Sequence, residues 1–149
     1  MRIYIAGPLS SDSSGARLKN CLSAINAGVE IMRKGHTPFV PHLMDWFDWH
    51  AKRSGIDFAW RQYIDWCLVW VAQCEALLYL GPSPGADIEL AEAERLGLKV
   101  YQSVSEIEGC GQQCAHEPNF EAQVLAAAAG RQEAGTVVET VNKKSNQEE

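Results

Sequence analysis

The spacing of apolar residues changes period along this chain, and the changes mark its elements. Residues 2–6 carry Ile3, Tyr4, Ile5 and Ala6 in one short, largely β-branched run, which predicts a buried strand. Residues 7–15 are rich in Gly, Pro and Ser and predict a loop. Over residues 16–34, Leu18, Leu22, Ile25, Val29 and Met32 recur at helical spacing, predicting a helix that packs this stripe on the core until Gly35 ends it. Residues 37–40 predict a second strand, with Pro38 directing it towards a sheet edge or standing as its first residue. A second helix is expected over 58–73, burying Ile64, Cys67, Leu68 and Val71. The run 76–80 predicts the third strand, 84–96 a third helix stopped by Gly97, and 98–101 a fourth strand. Residues 103–108 predict one more short helical turn.

Strands alternating with helices imply a parallel sheet covered on both faces. The expected fold class is α/β: a flavodoxin-like three-layer sandwich with a parallel sheet of four to five strands, order 2-1-3-4, joined by right-handed crossovers. Residues 1–109 form the expected domain. Residues 110–130, alanine-rich over 120–129, predict a C-terminal helical extension, and the polar residues 131–149 a flexible tail dispensable for folding. The connection 41–55 is long and carries Trp46, Phe47, Trp49 and His50. Such a segment suits a lid or binding loop whose aromatics stack on a base, and equally a cover for one edge of the core.

At 149 residues the chain is sized for a single domain. Its formal net charge of −6, without a basic block, argues against a nucleic-acid polymer as partner but not against a small nucleotide. The apolar start is too short for a signal peptide or a membrane span, so a cytoplasmic location and no membrane partner are expected. Of the five cysteines, Cys21, Cys67 and Cys74 fall in apolar patterns and read as buried thiols. Cys110, Cys114 and His116 lack a second ligand pair for a tetrahedral site, so no metal is expected.

The chemistry concentrates at residues 81–101. Glu89 lies eight residues past Gly81, near the start of the third helix, at the carboxyl end of a parallel strand where ligands bind. Free N–H groups at the helix start favour an ionised carboxylate there. A solvated glutamate in an exposed turn fits the same local pattern. Asp65 lies off the buried stripe of the second helix, and Arg61 one turn earlier accounts for it as an i,i+4 pair.

Tyr4-Ile5-Ala6-Gly7-Pro8, together with Ser83, Gly85, Ala86, Asp87 and Glu89 ahead of an alanine-rich helix and Gly97, resembles the nucleoside 2-deoxyribosyltransferase superfamily. That superfamily includes nucleoside 5′-monophosphate N-glycosidases and small phage-associated members of unassigned function, and the last are nearest in their motifs. The likeness covers roughly residues 1–105. It implies Glu89 as a nucleophile that forms a glycosyl-enzyme ester, and Asp65, 24 positions earlier, as the acid that handles the leaving base. Tyr4, Gly7, Pro8, Ser10, His42, Ser83 and Gly85 are expected to bind substrate in one cleft at the carboxyl ends of the strands, with Trp46 or Trp49 nearby; His42 directly follows the second strand and so reaches that cleft, or else caps a loop. Ser83 occupies the position where the nucleotide hydrolases carry a phosphate-binding Ser and the nucleoside transferases an Asp. The hydrolases' first-loop Arg is replaced here by Ser10, and Arg17 substitutes only if the loop folds back. No cofactor is implied, and the chain is expected to be a homo-oligomer.

Three functions follow as expectations: an N-glycosidase acting on a nucleotide or nucleoside with water as acceptor, a base-exchanging 2-deoxyribosyltransferase, and a non-catalytic nucleotide-binding module. Glu89 and Asp65 facing one cleft favours an enzyme; Asp65 pointing to solvent favours the binder.

Overall fold

The computed structural model describes residues 1–10 and 13–111. The expected helical extension and tail, with Cys114 and His116, lie outside the described residues. Four strands, β1 (Arg2–Ala6), β2 (Thr37–Phe39), β3 (Ala76–Tyr79) and β4 (Lys99–Tyr101), alternate with α1 (Ser14–Arg33), α2 (Met44–Arg53), α3 (Trp60–Val71) and α4 (Pro84–Arg95). All pairings are parallel and the order is β2-β1-β3-β4, a flavodoxin-like α/β arrangement. No fifth strand occurs among the described residues. Pro38 lies on β2 at the sheet edge, where its missing N–H leaves no gap in a central ladder. The short turn expected after β4 is a 3-10 turn at Val104–Glu106.

Side chains of β1 alternate between the two faces of the sheet. Ile3 and Ile5 join Ala24, Ala27 and Ile31 of α1, with Leu78 and Tyr101, in one core. Tyr4 and Ala6 face the other way, onto Cys67 and Val71 of α3 and Ala86 and Ala93 of α4. The chain reverses direction of winding between β1 and β3, so a crevice opens outside their carboxyl ends. Tyr4 therefore points to the same side of the sheet as α4.

Two expectations need correction. Helix α1 buries Cys21, Ala24, Ala27, Gly28 and Ile31, not the larger stripe: Leu18, Leu22, Val29 and Met32 are exposed and Ile25 is half-buried. Close approach is the reason. A Cβ on Gly28 would stand 2.9 Å from Val40 Cγ2, so only the small-residue face fits against the sheet. The segment 41–55 is also no loop. It forms a 3-10 turn at Pro41–Leu43 and then α2, supported by the i,i+4 pair Asp48–Lys52 and ended at Gly55, whose φ is +79°.

Gly28→Leu should lower unfolding stability by roughly 1–3 kcal/mol through overpacking, whereas Leu18→Ala, on the exposed stripe, should stay within about 0.5 kcal/mol. Urea unfolding followed by circular dichroism reads both. The opposite ranking would mean that α1 is rotated.

Candidate active site

A cavity of about 670 Å³ opens at the carboxyl ends of β1 and β3, within the range that holds a small ligand. Gly7, Ser10, His42, Ser83, Gly85 and Glu89 line it. Their arrival at one place follows from topology: the first two follow β1, His42 follows β2, and the rest open α4 after β3. Tyr4 lies beneath, fully buried, and its hydroxyl donates to Glu89 Oε1 at 2.7 Å.

Glu89 is the sixth residue of α4. It lies past the free N–H groups of the helix start, which belong to the first four positions. Only 6% of the residue is exposed. Burial pushes its carboxyl up to about 7, against the smaller opposing effect of hydrogen bonds from Tyr4 and Cys67. The expected ionised carboxylate held by a helix end is thus corrected: desolvation, not the helix, governs this group. Tyr4 is held far above its ordinary value by burial and by the neighbouring Glu89 charge, so it remains a donor. Burial likewise pushes the Cys67 thiol up to about 12. Cys21, Cys67 and Cys74 are free and buried, as the apolar patterns around them implied.

His42 is buried, and its Nε2 lies 3.2 Å from the Pro8 carbonyl. A carbonyl only accepts, so Nε2 carries the proton and Nδ1 is left as an acceptor without a partner among the described residues. Burial lowers the His42 pKa, which keeps the ring neutral. Pro8 itself contributes that carbonyl but does not line the cavity. Ser83 caps α4: its hydroxyl accepts from the Ala86 N–H at 3.2 Å. Gly7 is tightly placed, since a Cβ there would lie 3.0 Å from Leu80 Cβ and 3.6 Å from His42 Nε2.

Asp65 is not brought to this cavity. Its side chain is 57% exposed and pairs with Arg61 at 2.8 Å, the i,i+4 pair that the sequence also allowed. The position two dozen residues before Glu89 falls on the outer face of α3, one residue after the buried Ile64. Trp46 and Trp49 are likewise exposed and away from the lining, packing edge-on against each other.

Other residues take these places. Arg17 of α1 lines the cavity and is bonded to Asp45 of α2. Asp48, also of α2, is 17% exposed at its side chain and accepts from Lys52 Nζ and from the Tyr63 hydroxyl, both at 2.9 Å. Burial works to raise its pKa, but these two bonds together with the nearby charges of Lys52 and Arg17 outweigh it and hold the carboxyl below its usual value. Phe58 and Trp60 add aromatic surface beside Tyr63. Residue spacing gave one available signal for this group: Asp48 and Lys52 stand one helical turn apart in a segment without Gly or Pro. Among the described residues no group of three His, Cys, Asp or Glu side chains is arranged to hold a metal ion.

The chain belongs to the family described as "Domain of unknown function (DUF4406)", whose profile matches residues 1–102. That span ends just after β4 and contains every cavity residue named above. No curated protein matches the chain. No helix among the described residues is long and apolar enough to cross a membrane.

Glu89 has a folded-state pKa above its ordinary 4.5, so its contribution to stability is complete below pH 4.5 and is lost as pH rises through about 7. The full loss is about 3 kcal/mol. Glu89→Gln keeps the acceptor for Tyr4 without the charge. Its stability relative to the wild type should therefore rise by about that amount between pH 4.5 and pH 8. A difference that is flat with pH in denaturant titrations would show that the carboxylate is not desolvated.

Proposed function

We propose that this member of the family cleaves the N-glycosidic bond of a nucleotide or nucleoside, with Glu89 as nucleophile and water as acceptor. The observation that carries this reading is a buried carboxylate lining a nucleotide-sized cavity, with Tyr4 holding its Oε1. The resemblance of its flanking motifs to the deoxyribosyltransferase superfamily supports it independently.

In the first step Glu89 attacks the anomeric carbon. The C–N bond breaks, and its electron pair leaves with the base, which takes up a proton from solvent water. The oxocarbenium-like transition state gains from a carboxylate in a dry setting, where charge stabilisation is strongest. Tyr4 donates to the non-attacking oxygen and so fixes the rotamer. Water then cleaves the ester. Its oxygen goes to the anomeric carbon, its hydrogen balances the proton taken by the base, and Glu89 is released as a carboxylate. Every bond made or broken is accounted for without a metal or an organic cofactor.

A 5′-phosphate suits the start of α4, where Ser83 is the N-cap, and Ser10 and Arg17 are among the other residues that line the cavity. Arg17 takes the role left open by Ser10, provided that Asp45 yields it to the incoming phosphate. A cytoplasmic setting and a homo-oligomer go with this reading, and the exposed apolar stripe of α1 is compatible with a second copy. Base exchange onto a second nucleobase is the same chemistry with a different acceptor.

One observation favours a second reading. Asp65 faces solvent, so the cavity lacks the acid that the superfamily provides for the leaving base, as a non-catalytic nucleotide-binding module would. Release of free base, followed by chromatography over a panel of nucleosides and nucleoside monophosphates, separates the two. Glu89→Ala should reduce the rate by at least a thousandfold with ligand binding retained, and Asp65→Asn should leave it within about twofold. Full release by Glu89→Ala would remove Glu89 as nucleophile, and no release by the wild type from any substrate would remove the enzyme. Because Glu89 must be ionised to attack, kcat/KM should fall about tenfold per pH unit below about 7 and level off above it. A profile flat down to pH 5 would exclude Glu89 as the titrating group.

A further inference from the structure

The α2–α3 wall of the cavity carries a polar group that the proposed bond cleavage does not use. Asp48 is a carboxylate with one bond to each oxygen: Tyr63 holds Oδ1 and Lys52 holds Oδ2. A carboxylate oxygen has room for about two donors, so one acceptor position remains on each oxygen. Lys52 has three N–H donors and gives one to Asp48, leaving two. Asp48, Lys52 and Tyr63 all line the cavity, as do Phe58, whose ring packs edge-on against Tyr63, and Trp60. The wall thus offers two acceptors side by side and a donor next to them, at an aromatic surface on which a planar ring can stack.

We infer that Asp48 and Lys52 form the base-recognition edge of the site and select a guanine-type base. This rests on the reading of the cavity as a nucleotide site. The pattern acceptor–acceptor–donor is complementary to an edge that presents an exocyclic amino group, a ring N–H and a carbonyl oxygen in a row. Guanine has that edge. Its two N–H groups meet the two free positions of Asp48 as a bidentate pair, and its carbonyl accepts from Lys52. Adenine turns a ring nitrogen lone pair to the same carboxylate, and cytosine offers it one donor and two acceptors. The Asp48 side chain is only 17% exposed, so a ligand that leaves its acceptor positions unpaired is rejected. Tyr63 is a positioning residue: its hydroxyl holds Asp48 from α3 and fixes the direction of the carboxylate.

An Asp48–Tyr63 bond also ties α2 to α3, so the deciding readout is a ratio between ligands, which a merely structural role would leave unchanged. The experiment is calorimetric titration of the full chain with guanosine and adenosine 5′-monophosphates, ribo and deoxy, with the same samples assayed for free base. The wild type should bind the guanine nucleotide at least tenfold more tightly than the adenine one. Asp48→Asn, which keeps shape but turns one acceptor into a donor, should bring the two within about twofold. Lys52→Met should narrow the preference for guanine over 2-aminopurine, which lacks both the carbonyl and the ring N–H, without removing it, because the ring N–H still meets Asp48. Equal affinity of the wild type for both nucleotides, binding of neither, or an unchanged ratio in Asp48→Asn would overturn the inference. Base release with no preference among bases would overturn it while leaving the glycosidase standing. A guanine preference lost in Asp48→Asn, with no base released from any nucleotide, would support it and remove the glycosidase.

Discussion

The hydrogen bond from Tyr4 to Glu89 joins the middle of the sheet to the helix that follows β3, and the rest of the site depends on it. It spans 85 residues of sequence and is buried. A lone carboxylate in such a place costs several kcal/mol to ionise, and one donated hydrogen bond offsets part of that cost. The balance leaves Glu89 near neutrality at the pH of a cell, able to exist as acid or carboxylate. A group poised in this way is unusual in a purely structural role and useful in bond making.

The surrounding fold supplies what this pair needs. Period-2 alternation in β1 sends Tyr4 to the α4 side while Ile3 and Ile5 anchor the strand against α1. Small residues on α1 let that helix lie close to the sheet, and Ala86 and Ala93 allow the same for α4. The switch of direction between β1 and β3 leaves the crevice open above them. The two helices α2 and α3 then wall it with charged and aromatic side chains that have no counterpart in the core.

Much of this architecture is legible in the residues. Continuous apolar runs such as Ile3–Ala6 fix buried parallel strands, and Gly97 and the Pro84 turn fix the limits of α4. The meeting of Gly7, Ser83 and Glu89 follows from strand order alone. Four features are not legible, each for a physical reason. The stripe Leu18 to Met32 has perfect helical spacing, yet periodicity counts apolar residues without weighing their size, and the close contact at Gly28 selects the smaller face. Asp65 has the right distance in sequence from Glu89, but a single residue's rotation about α3 separates the cavity from solvent, and Arg61 holds it outside. The pKa of Glu89 depends on burial, which the helix-start argument does not contain. The charged group of Asp48, Lys52 and Tyr63 is assembled from two helices and takes shape only when they pack.

The central claim is covalent: a side-chain oxygen of Glu89 bonds to the anomeric carbon. A nucleotide or nucleoside carrying fluorine at the 2′ position of the sugar slows both steps by destabilising the oxocarbenium-like transition state, and with a good leaving base it lets the ester accumulate. Intact-protein mass spectrometry after incubation, followed by peptide mapping, should find one added fluoro-sugar, on Glu89. An adduct on another residue, or none while base is still released, would contradict the account.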